Sequence, residues 1–191
     1  LPLIGLIIQA LTENLGANPV ETIIRDTGQW SLRFLLLTLM VTPFRLISGW
    51  HDLNKRFKLR RLFGLYAFFY ASLHFASYFL WEQDLAINKT VADLLTRPAM
   101  TIGFLAFLLM IPLAITSHSI LIKRLGKVRW KRLHQLTYPI AIGSVLHFWW
   151  VVKADVREPA IYAIILAALL LLRYPPLLNR FTKKEMTSMK E

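Results

Sequence analysis

Residues 130–150 read WKRLHQLTYPIAIGSVLHFWW: a basic start, a long apolar run and an aromatic close, with His134 and His147 near the two ends of the run. A bilayer core of about 30 Å is crossed by roughly 20 such residues rising about 1.5 Å each. Comparable apolar runs cover 30–47, 62–81, 99–117 and, from the quoted stretch itself, 135–152, with a shorter one over 160–174. Residues 1–11, LPLIGLIIQAL, are as apolar but too short to cross. They read as the exit half of a truncated first helix, because neither a basic flank nor a small-residue cleavage site of a signal peptide accompanies them. The expectation is an all-α integral membrane protein, a six-helix transmembrane bundle over residues 1–191 with 175–191 as a cytoplasmic tail.

Composition points the same way. The 191 residues are 55% hydrophobic, and such a content with positive mean hydropathy is foreign to a soluble domain. The formal charge of +12 would suit a nucleic-acid binder, but its placement excludes that. Of 23 Lys and Arg residues, 17 lie in Arg45–Arg61, Lys123–Arg132 and Arg173–Lys190, joined by only three acids; the opposite loops carry most of the acids. Basic loops stay on the cytoplasmic side, so these three segments and the C-terminus belong there. Trp30, Tyr78, Trp81, Trp149 and Trp150 would then form an aromatic belt at the outer interface. The chain has no cysteine, which removes disulfides, iron–sulfur clusters and covalently attached c-type haem. It also has no glycine-rich phosphate loop.

Five histidines remain to be placed: His51, His74, His118, His134 and His147. His51 and His118 fall in or beside basic loops and read as solvated or capping residues. His74 lies in the middle of a span, where an ionisable group is costly and marks a functional site. It stands 13 residues past Arg61, and His147 stands 15 past Arg132, so both lie about 20 Å into the bilayer on parallel helices. Two imidazoles at one depth can fill both axial positions of a haem, or simply bridge helices by hydrogen bonds. His134, two residues past Arg132, belongs near the cytoplasmic interface. On a straight helix its side chain would point about 140° away from that of His147, unless Pro139, expected inside the span, alters the phase.

Several segments together resemble a known family: residues 15–45, LGANPVETIIRDTGQWSLRFLLLTLMVTPFR; residues 60–78, RRLFGLYAFFYASLHFASY; LLTRP at 94–98; and WKRLHQLTYPIAIGSVLHFWWVVK from Trp130. They are similar to the MsrQ (YedZ) family of the ferric reductase-like transmembrane superfamily. The resemblance implies a six-helix bundle in a bacterial inner membrane, with b-type haem between helices three and five. It implies haem axial roles for His74 and His147, and for His134 at an inner haem, so one or two haems, with FMN associated. It also implies electrons drawn from the quinone pool or a cytosolic flavin reductase and passed to MsrP, a periplasmic molybdopterin subunit that reduces methionine sulfoxide in oxidised proteins. In the related NADPH oxidases a second histidine precedes the outer one on helix three; here Arg60 and Arg61 stand at those positions, so His134 lacks that partner. The flavin and nicotinamide domain of those relatives has no counterpart in these residues. Two other readings stay open: a non-redox membrane carrier or assembly factor, and a self-sufficient ferric reductase.

Overall fold

A computed structural model of the chain describes residues 2–48, 58–152 and 155–173. Among them there are helices and no strands. In order they are α1 (Pro2–Leu11), α2 (Pro19–Ser48), α3 (Leu59–Ser77), α4 (Ile87–Thr96), α5 (Pro98–Ile115), α6 (Ser119–Leu125), α7 (Lys127–His134), α8 (Thr137–Val151) and α9 (Arg157–Leu171). A π-helical turn, Tyr78–Glu82, prolongs α3. The continuous stretch Leu59–Glu82 and α5 are each long and apolar enough to cross a membrane. His51 and the tail after Arg173 lie outside the described residues.

Helix α2 begins well ahead of the apolar run predicted from Trp30. Pro19 sits at its first position, where the missing N–H costs nothing. Asn18 and Glu21 close the end reciprocally: Asn18 Oδ1 accepts from the Glu21 N–H at 3.3 Å, and Asn18 Nδ2 donates to Glu21 Oε2 at 3.1 Å. Hydropathy hides this start because PVETIIRDTGQ is polar. Trp30 stands within this longer helix, with the Arg33 guanidinium 4.7 Å from its ring centre.

The run predicted over 135–152 is divided. Helix α7 ends at His134, and Gln135 and Leu136 form a tight turn before α8, marked by i to i+3 bonds from Gln135 N–H to Arg132, Leu136 N–H to Leu133 and Tyr138 N–H to Gln135. Pro139, expected inside a continuous span, falls in the first turn of α8, where its ring displaces no helical partner. Each residue in such a turn advances about 120° where an α-helical residue advances about 100°. The straight-helix phase between His134 and His147 therefore does not hold.

Packing is most extensive between α2 and α3, and next between α5 and α8; α9 covers α8 and α2, while α3 meets α5 between the two pairs. Leu32, Leu35, Leu36 and Leu39 of α2, Ala67 of α3, Ala106 and Met110 of α5, Ile140, Ala141 and Val145 of α8, and Leu166 and Leu169 of α9 form one core. Ala67 and Ala141 are fully buried, small side chains that let helix backbones approach closely. Outward faces are apolar too, as Leu105, Leu108, Ile161, Ile164 and Leu171 are exposed. That inside-and-out apolarity suits a bundle solvated by lipid.

Polar residues join helices where they penetrate. Gln29 donates to Glu158 at 2.7 Å and accepts from Arg33 at 2.8 Å, while Arg33 Nε donates to Tyr162 Oη at 2.8 Å, tying α2 to α9. Just past α9, Arg173 donates to Tyr138 Oη at 2.9 Å, to the Leu39 carbonyl at 2.5 Å and to Thr42 Oγ1 at 3.1 Å. Those bonds fix the end of α9 against α8 and α2.

Candidate cofactor site

His74 sits on α3 but makes its hydrogen bond to α2. Its Nδ1 lies 2.8 Å from the carbonyl of Ile24. A carbonyl oxygen can only accept, so Nδ1 carries the proton and Nε2 keeps its lone pair. His147 repeats the arrangement in the other helix pair: it sits on α8, and its Nδ1 lies 2.7 Å from the carbonyl of Ala99 on α5. By the same reasoning it too presents an unprotonated Nε2. Neither Nε2 has a hydrogen-bond partner among the described residues.

The two rings meet where the helix pairs face one another, with centroids 6.1 Å apart and planes at 78°. An imidazole nitrogen binds a transition metal at about 2 Å and lies about 1.1 Å from its ring centre, so two imidazoles on opposite sides of one ion place their centres about 6 Å apart. That distance accommodates a metal between the rings, and it equally suits a direct edge-to-face contact of two imidazoles. Among the described residues no group of three or more His, Asp or Glu side chains converges to hold an ion.

Aromatic rings wall the α3–α5 side of the pair. Phe75, next to His74, packs against Phe104 at 5.5 Å and Phe107 at 5.2 Å, and Phe107 also stacks on Phe68 at 6.0 Å. These ring contacts join α3 to α5, one helix from each pair. Sequence reasoning missed them, because aromatics were sought at the interface and not along the α3–α5 seam. The acceptor carbonyls of Ile24 and Ala99 were equally invisible, since any residue type supplies a carbonyl.

His134 is not brought to this pair. Its ring stacks on Trp130, one turn earlier on its own helix, at 4.2 Å, and its Nδ1 lies 3.1 Å from the Trp130 carbonyl. Partial burial lowers the imidazole below its ordinary range, opposed by the carbonyls of Trp130 and Leu113. Trp130 is itself anchored, donating from Nε1 to the Thr116 carbonyl at 3.0 Å. Arg60 hydrogen-bonds Thr42. His118 is exposed at the N-cap of α6 and makes no side-chain cap.

Comparison with known proteins agrees with this architecture. Residues 27–145 match the family described as ferric reductase like transmembrane component. The chain is 47% identical over 175 residues to the protein-methionine-sulfoxide reductase heme-binding subunit MsrQ of Herminiimonas arsenicoxydans, covering 91% of this chain and 79% of that one. It is 50% identical over 162 residues to the protein of that name from Xanthomonas euvesicatoria pv. vesicatoria, covering 85% and 72%. The corresponding figures for that of Ralstonia nicotianae are 44% over 174 residues, 90% and 79%. No solved structure matches the chain. A helical bundle of this organisation, matched over most of its length, belongs to the ferric reductase-like transmembrane component family, within its MsrQ branch.

Proposed function

We propose that the chain is the membrane electron-transfer subunit of a protein-methionine-sulfoxide reductase system, holding b-type haem between His74 and His147. The observation that carries this reading is the 6.1 Å separation of two rings whose Nδ1 atoms are each occupied by a carbonyl of a neighbouring helix. A bis-imidazole clamp needs that separation, and an engaged Nδ1–H leaves Nε2 for the metal. The residues therefore fit the group. Haem held by His74 and His147 would supply a one-electron couple, the chemistry of electron transfer.

The chain's own residues hold and orient. The α2–α3 pair presents His74, the α5–α8 pair presents His147, and Phe75, Phe104 and Phe107 join the two pairs. By the charge rule, the basic segment over α6 and α7 faces the cytoplasm of a bacterial inner membrane. Electrons from the quinone pool or a cytosolic flavin reductase, with FMN as a companion, enter there. They leave on the opposite face to the periplasmic molybdopterin subunit MsrP. Reducing a sulfoxide to a thioether takes two electrons and two protons and releases water, so two single-electron deliveries serve each turnover.

His134 does not share the geometry of the pair, and the reading rests on one haem. A second haem at His134 would need a non-histidine partner, a vacant sixth position, or His51, which lies outside the described residues. The test is an absorbance spectrum of the full chain purified from haem-supplied membranes. A Soret band and a sharp reduced alpha band, both lost in His74→Ala and in His147→Ala, are expected. A colourless protein, or an unchanged spectrum in either variant, would overturn the reading.

A further inference from the structure

Each haem-directed histidine reaches its acceptor carbonyl past a glycine placed four residues later on the acceptor's helix. His74 pairs with Ile24, and the residue four on is Gly28; His147 pairs with Ala99, and the residue four on is Gly103. The repetition has a physical cause. In an α-helix the carbonyl of residue i already accepts from the N–H of residue i+4, and Cβ bonds tilt toward the helix N-terminus, so the side chain at i+4 screens that carbonyl. A second donor can reach the oxygen's other lone pair only if the screen is missing.

The distances bear this out at both places. A Cβ at position 28 would stand 2.9 Å from His74 Nδ1 and 3.0 Å from its Cε1. At position 103 it would stand 2.6 Å from His147 Nδ1 and 2.8 Å from its Cε1. Both are closer than carbon and a ring atom approach without displacement. The remaining glycines of the long helices differ: a Cβ at Gly64 meets nothing nearer than Thr38 at 4.0 Å, and one at Gly143 meets Ile102 at 3.4 Å. At Gly28 and Gly103 the three atoms nearest an added Cβ all belong to the histidine ring, so the space each glycine leaves is filled by an imidazole.

We propose that Gly28 and Gly103 are positioning residues for the two axial histidines. By leaving the Ile24 and Ala99 carbonyls open, they set the ring orientation and keep the proton on Nδ1. The inference rests on the haem reading of His74 and His147 and names two residues toward the same group. A hydrogen bond to Nδ1–H makes the imidazole a stronger donor and favours the ferric form; losing outer partners of this kind typically weakens metal-site affinity about 10–100-fold.

The test compares Gly28→Ala, Gly103→Ala and the control Gly64→Ala in the full chain, purified from haem-supplied membranes. Haem per chain, the midpoint potential and the low-spin ferric resonance are measured. Gly103→Ala, with the closer approach, is expected to lose the most haem. Gly28→Ala is expected to retain more, with an altered resonance and a raised potential; a tenfold loss of ferric relative to ferrous affinity reads as about 59 mV for one electron. Gly64→Ala should match the unmodified chain. If Gly103→Ala does not accumulate, Gly28→Ala decides alone. Unmodified haem content, potential and resonance in Gly28→Ala would overturn the inference while leaving the haem reading intact. An unmodified chain without a haem spectrum would overturn that reading, and the inference with it.

Discussion

His147 reaches off its own helix to a carbonyl of α5 at 2.7 Å, whereas His134 turns back to a carbonyl of its own helix at 3.1 Å and lies on Trp130. Both belong to one apolar stretch with a basic start, and both carry a proton-donating contact at Nδ1. The difference lies in what the contact achieves. A bond between helices fixes a ring relative to a second chain segment, and so relative to His74, 6.1 Å away. The Nδ1 bond of His134 stays within its own helix, and its other carbonyl neighbour, Leu113, lies at the opposite end of α5 from Ala99, so neither holds the ring against a second histidine. A shared cofactor site needs the first kind, because its two ligands must be held against each other and not merely oriented.

The sharpest way to break this contrast is to remove each histidine in turn. His147→Ala should eliminate the low-spin haem spectrum, and His134→Ala should leave haem per chain unchanged by spectroscopic quantitation. Loss of half the haem in His134→Ala would show that the inner histidine is also a ligand and erase the distinction. The glycine substitutions come next in size, since they displace a ring without deleting it.

A smaller effect is expected from Arg173→Met, which removes donors to Tyr138, the Leu39 carbonyl and Thr42. Leaving those acceptors unpaired should cost about 1–3 kcal/mol, seen as a lower midpoint of thermal unfolding in detergent. The haem spectrum should persist, because the Arg173 bonds join α9, α8 and α2 away from the His74–His147 contact. A spectral change as large as that of a glycine variant would mean that the two halves are coupled.

The smallest expected effect is one of pH. The folded-state pKa of His134 is depressed by burial, so the contribution of its neutral form is present above the ordinary value near 6.5 and is lost as the pH falls below that. Thermal stability of the haem-free chain should therefore decline slightly on acidification below pH 6.5, and His134→Gln should flatten that slope. An equal slope in the variant would assign the titration elsewhere.

Much of the candidate site could be read from residue spacing. Counting residues past Arg61 and Arg132 singled out His74 and His147 as a pair, and their rings lie 6.1 Å apart. The start of α2 could not be read that way. Its first turns are polar, and a hydropathy window registers composition and not the Asn18–Glu21 cap that begins the helix. The turn at Gln135–Leu136 escaped for a similar reason: neither residue is a helix breaker, and Pro139, the visible suspect, is tolerated in a first turn. Gly28 and Gly103 were visible as letters but carried no meaning until the helix facing each was known.

By itself the sequence determined the class of the molecule, the direction of its charge asymmetry and the pair of histidines worth watching. Those properties depend on composition and on distance along one chain axis, which local physics converts directly into structure. Only the tertiary structure decided that His74 and His147 face each other, that α2 and α5 supply their carbonyls, and that a glycine opens each carbonyl. Such facts concern rotation of one helix against another, and a rotation between segments is set by packing that no single segment encodes.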